Sequence, residues 1–166
     1  MKIFVYYLED LDINTGTPLR AKNVIKFLSK NNDIFLAAPK LTSQELLSKI
    51  KFFPLKKYHY LKGLNFFFKV RDLKEIIKKE KPDIIYGFTC NSIFALGIIA
   101  YQLKIPTVIE MHEEGHKVAE KNIILKIIFG WLEKKAIKHI DGIVAISSKI
   151  RDYYLDLKGT PNLLAR

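Results

Sequence analysis

The chain has 166 residues, 49% hydrophobic and 27% charged, which suits one domain with its own core and excludes a disordered segment. Its net charge of +11 selects an anionic partner, and nucleic acid, an anionic membrane surface and a phosphorylated substrate all qualify. The single cysteine, Cys90, excludes an internal disulfide, and no run reaches the roughly 18 apolar residues of a membrane span. The start Met1-Lys2-Ile3-Phe4-Val5 is too short an apolar stretch for a signal peptide, so the cytoplasm is the expected location.

Residues 2–8 form an apolar, β-prone run followed by a polar loop over 9–16. Thr17-Pro18 then reads as an N-cap with proline at the first helical position, and Leu19, Val24, Ile25 and Leu28 give the helix one apolar face. Asn31-Asn32 end it before a strand over 34–38. This opening is βαβ, which implies a parallel sheet. Thr42-Ser43-Gln44-Glu45 has capping-box spacing and starts a short helix to about residue 50, ahead of a strand at 51–53.

Phe66, Val70, Leu73, Ile76 and Ile77 space as one face of a helix ending near Lys81-Pro82, and a strand over 83–88 follows. Asn91 or Ser92 caps an apolar helix to Leu103, and Pro106 introduces the strand Thr107-Val108-Ile109-Glu110-Met111. From 123 to about 139 the residues Ile124, Ile127, Ile128, Trp131, Leu132 and Ala136 form a helical stripe. A strand over 142–146 comes next, and Ser147 caps a last helix through Tyr154.

Six strands alternating with helices predict a single-domain, Rossmann-like doubly wound parallel sheet, a three-layer α/β/α arrangement. Ligands of such sheets bind beyond the carboxyl ends of the strands. Three loops leave those ends, at 9–17, 87–91 and 110–122.

The last of these contains His112-Glu113-Glu114-Gly115-His116, the letters of a zincin motif. A zincin needs both histidines on one helix, whereas Pro106 and the β-branched run after it make His112 the end of a strand. The alternatives are a zinc-dependent hydrolase, a solvated loop, and a strand-end imidazole that meets a sugar hydroxyl or a phosphate.

The strand-end reading coincides with a family pattern. The opening strand and loop with Gly16, the strand Pro82-Asp83-Ile84-Ile85-Tyr86, Ile105-Pro106-Thr107-Val108-Ile109 leading to His112, and Glu133 before Asp141-Gly142-Ile143-Val144-Ala145-Ile146-Ser147 span nearly the whole chain. In order and spacing they resemble the amino-terminal domain of retaining GT-B glycosyltransferases of the group 1 kind, which includes glycogen synthases, sucrose synthases and mannosyltransferases.

The resemblance implies that residues 1–166 are the acceptor-side domain of an enzyme whose carboxyl-terminal domain binds the nucleotide-sugar donor. With that domain absent, the chain alone is expected to be inactive. It further implies that His112 is catalytic and that Gly16, Thr17, Glu113 and Ser147 line the substrate cleft, with no cofactor and no catalytic metal. The family's Gly-Gly pair is here Asn14-Thr15-Gly16-Thr17, with one glycine, and Glu113 stands where the family often has Asp.

Residues 49–81 carry eleven Lys or Arg against three acids, most of the net charge. Lys51, Phe52, Phe53, Lys56, Lys57, Tyr58 and Lys62 interleave cations with aromatics, as interfacial membrane segments do. This patch is expected to contact a glycan or lipid-linked acceptor or an anionic membrane surface. The family resemblance agrees, because many members glycosylate lipid-linked acceptors. The plain alternative is a solvated lysine face above a core of the same phenylalanines, or more broadly a non-catalytic basic module that binds membrane or nucleic acid. No recognisable nucleic-acid module frames these residues.

Overall fold

The computed structural model describes residues 1–14, 16–55, 64–89, 92–112 and 123–159. Six strands, β1 (Lys2–Tyr6), β2 (Asp33–Ala38), β3 (Ile50–Pro54), β4 (Ile84–Phe88), β5 (Thr107–Met111) and β6 (Gly142–Ala145), form one sheet. All pairings are parallel and the order is β3-β2-β1-β4-β5-β6. The chain therefore runs outward from β1 to β3, returns, and continues outward from β4 to β6. The switch point lies between β1 and β4, where strand ends leave a crevice.

Continuous apolar strands are what a sheet covered on both faces requires. Alternation along β1 sends Phe4 and Tyr6 to one core and Ile3 and Val5 to the other. The first core takes residues from α3 (Leu64–Glu80), α4 (Ile93–Leu103) and α6 (Ser148–Lys158), and the second from α1 (Gly16–Leu28) and α2 (Gln44–Leu47). The three-layer expectation is met.

Several local details differ from the sequence reading. Ser43 is the N-cap of α2 and makes no side-chain capping bond, and that helix ends at Leu47. Pro18, Ala21 and Ile25 form the buried side of α1, whereas Leu19 is exposed. Ser147 does cap α6, accepting the N–H of Ile150 at 3.3 Å.

The helix expected from 123 to about 139 is α5 (Ile123–Ala136) with the short 3-10 turn Ile137–His139 after it. Of the helical stripe, Ala136 is buried, but Ile127 is 67% exposed, Trp131 56% and Leu132 38%; the side chains of Ile124 and Ile128 lie outside the described residues. The helix is rotated so that Glu133 faces inward, and two contacts fix that rotation. Tyr154 and Tyr153 of α6 donate their hydroxyls to the Glu133 carboxylate at 2.8 and 3.0 Å. Gly97 of α4 lets Ala136 approach so closely that a Cβ at 97 would lie 2.7 Å from the Ala136 Cβ.

Candidate functional site

The site forms at the carboxyl ends of β1, β4 and β5, around a carboxylate inside the sheet. Glu110 is paired in register with Phe88 and shares its face, on the α1 side. Its side chain is 1% exposed. An ionised carboxylate at that depth needs donors. Three converge on it: Arg20 of α1 donates its Nε–H to Oε1, the Tyr86 hydroxyl donates to Oε2 at 2.9 Å, and His112 Nε2 lies 2.7 Å from Oε1.

Burial pushes the Glu110 carboxyl up, but the hydrogen bonds from His112, Arg20 and Tyr86 and the Arg20 charge outweigh it and hold the group at about 2. The hydrogen bond to Glu110 raises Arg20 in turn, and burial followed by the Glu110 charge raises the Tyr86 phenol. Glu110 is therefore anionic at neutral pH and can only accept. That assigns the proton on His112 to Nε2 and leaves Nδ1 for Thr17, whose hydroxyl oxygen is 3.2 Å away.

With the ring neutral, the Thr17 hydroxyl donates to Nδ1. With the ring protonated, Nδ1–H donates to Thr17. The imidazole is thus held at both nitrogens with little of its side chain exposed, and the first turn of α1 adds backbone N–H groups beside it. Gly16 starts that turn at φ +54, with open space where a Cβ would stand. Glycine is required there by the backbone angle, not by a close neighbour.

Thr17 was expected to cap α1 through its side chain; the structure instead brings it to His112. Ser147, by contrast, uses its oxygen on α6. Glu113, and the Gly115 and His116 of the zinc alternative, lie outside the described residues, as do Lys56, Lys57, Tyr58 and Lys62. No group of three or more potential metal ligands occurs among the described residues.

In the basic patch, Lys51 is paired with Glu80 at 2.9 Å and stands over the rings of Phe35 and Phe53. Phe52 and Phe53 are partly buried against opposite cores. No described helix is long and apolar enough to cross a membrane.

Sequence reasoning missed Glu110, Arg20 and Tyr86. The available signal was an acid inside an otherwise apolar central strand, since such a group must recruit donors. It missed Thr89 as well, at the end of β4. This β-branched residue sits at φ +68, and its buried hydroxyl has no hydrogen-bond partner. Strain of that kind persists only where surrounding structure imposes it.

The chain belongs to glycosyltransferase family 4: the family model matches residues 20–164. This is the amino-terminal domain of the GT-B fold. Among solved structures, the UDP-N-acetylglucosamine 2-epimerase of Rickettsia bellii superposes with a TM-score of 0.65 at 19% identity, over 97% of this chain and 42% of that one. A lipopolysaccharide outer core galactosyltransferase in its apo form gives 0.64 at 18%, over 97% and 43%. A glycosyltransferase of Rickettsia africae gives 0.61 at 15%, over 96% and 40%. At these identities the likeness is one of fold, and the chain spans less than half the length of each. No curated protein matches the sequence significantly.

Proposed function

We propose that this chain is the acceptor-side domain of a retaining glycosyltransferase that uses a nucleotide sugar, with His112 as its catalytic side chain. One observation carries the reading: His112 stands at the switch-point crevice with its ring fixed between Glu110 and Thr17. With Nε2 anchored on Glu110, a sugar hydroxyl can take the place of the Thr17 hydroxyl at Nδ1, and Glu110 stabilises positive charge on the ring as the transition state develops.

Gly16, Thr17 and the amino end of α1 face the donor diphosphate, while Glu113 and Ser147 border the sugar and acceptor. The donor is held mainly by a second α/β domain, and the present chain alone does not turn over. Lys51, Phe52, Phe53, Lys56, Lys57, Tyr58 and Lys62 approach a glycan or lipid-linked acceptor, with the protein peripheral on the cytoplasmic face of a membrane. The concentration of cations in residues 49–81 supports that placement. No cofactor or metal enters this reading.

The test is to assay glycosyl transfer from UDP-glucose and UDP-N-acetylglucosamine by the chain joined to a donor-binding GT-B domain. Transfer that falls about 100-fold in His112→Ala, with folding intact, supports the proposal. Conversion of the UDP-sugar without an acceptor, or activity that chelators abolish, overturns it.

A further inference from the structure

We propose that the outward face of α5 is a docking surface for an anionic lipid bilayer. It is separate from the basic segment after β3 and independent of the transferase reading. The anomaly is the rotation of α5, whose apolar residues Ile127, Trp131 and Leu132 face solvent while its one acid, Glu133, is buried. Isolated exposed apolar residues need no explanation, but a side of a helix that groups an isoleucine, a tryptophan and a leucine does. The rotation is not a loose one. The Glu133 bonds to Tyr153 and Tyr154 and the contact of Gly97 with Ala136 set it from the inside.

The charges around this face identify the occupant. Lys134, Lys135 and Lys138 are exposed beside the apolar residues, and Lys135 Nζ lies 3.8 Å over the Trp131 ring. Beyond them, Lys104 lies 4.6 Å over the ring of Tyr101, itself 56% exposed. Indole and phenol rings flanked by lysines are the composition of a bilayer interface, where the rings enter the headgroup layer and the ammonium groups meet lipid phosphate.

A second copy of the chain fits poorly. A two-fold interface would bring these lysines against their own equivalents, and the described residues of α5 offer no exposed carboxylate to pair them. Helix α5 packs beside α4, toward the β5–β6 end of the sheet, whereas Lys51 to Phe53 lie on β3 at the opposite edge. The two surfaces can therefore be distinguished by substitution.

Trp131 is the only tryptophan in the chain, so its emission reports on this face alone. Vesicles of phosphatidylcholine containing phosphatidylglycerol are titrated into the protein, with pure phosphatidylcholine as the comparison. A blue shift and rise in emission on the anionic vesicles, together with sedimentation, are expected. The double variant Lys134→Glu, Lys135→Glu should bind roughly thirty-fold more weakly or worse, with an unchanged far-UV spectrum. Ile127→Ser should weaken binding while leaving all charges in place.

Equal shifts on neutral vesicles, or none on either, overturn the proposal. So does sedimentation without a change in Trp131 emission, which would assign binding to another surface such as the segment after β3. An emission shift that follows protein concentration without lipid, with a dimer in light scattering, would assign the face to a second copy.

Discussion

His112 Nε2 lies 2.7 Å from Oε1 of Glu110, two residues back in the chain and on the same side of the sheet. This contact makes a buried carboxylate and a strand-end imidazole one hydrogen-bonded unit. Because the carboxylate can only accept, it fixes which ring nitrogen carries the proton. In nuclear magnetic resonance at a pH where the ring is neutral, His112 should show a protonated Nε2 and an unprotonated Nδ1. Thr17→Val should keep that tautomer, and Glu110→Gln should mix it. A wild-type ring protonated at Nδ1 would refute the assignment.

Glu110 also sets a pH dependence of stability. Its carboxyl is lowered from 4.5 to about 2 in the folded protein. The associated stability is fully present above 4.5 and is lost as pH falls from 4.5 toward 2, because the unfolded chain binds the proton first. Urea denaturation across that window should show a loss on the order of 3 kcal/mol attributable to this group. Glu110→Gln should be less stable at neutral pH and show a flatter acid limb; an acid limb as steep as the wild type would contradict the account.

The left-handed backbone of Thr89 predicts a gain. Thr89→Gly removes the β-branch from φ +68 and deletes a buried hydroxyl without a partner. The expected change is a stabilisation of about 1 kcal/mol, a rise in Tm of roughly 2–4 °C. A destabilised variant would show that Thr89 is not strained.

Gly97 predicts a loss. In Gly97→Ala the new methyl would meet the Cβ of Ala136 at 2.7 Å and its Cα at 2.9 Å, forcing α4 and α5 apart. Overpacking of this kind costs about 1–3 kcal/mol. Denaturation midpoints should drop accordingly, and the double variant with Ala136→Gly should recover part of the loss. Wild-type stability in the single variant would mean that the helices separate at no cost.

The strands were legible because each is a short apolar run between turn residues, and their positions fell within about two residues of those read from the sequence. Ser147 could be read as a cap for a similar reason, since capping involves only its own helix. Thr17 looked equivalent and behaved differently. Its hydroxyl has a partner 95 residues away on another strand end, which local capping rules do not include. On α5 the periodicity of the sequence shows which residues share a helix face but not which face turns inward.

By itself, the sequence determined the alternation of strands and helices, the place of His112 at a strand end and the excess of positive charge, since each depends on near neighbours or on composition. The tertiary structure alone decided that Arg20, Tyr86, Glu110, His112 and Thr17 meet, because they come from β4, β5 and α1 and are joined only by the sheet order. It also decided that Glu133, not Trp131, faces the interior. A pair of tyrosine hydroxyls on α6 and a missing Cβ on α4 outweigh the apolar stripe there, and both belong to other segments of the chain.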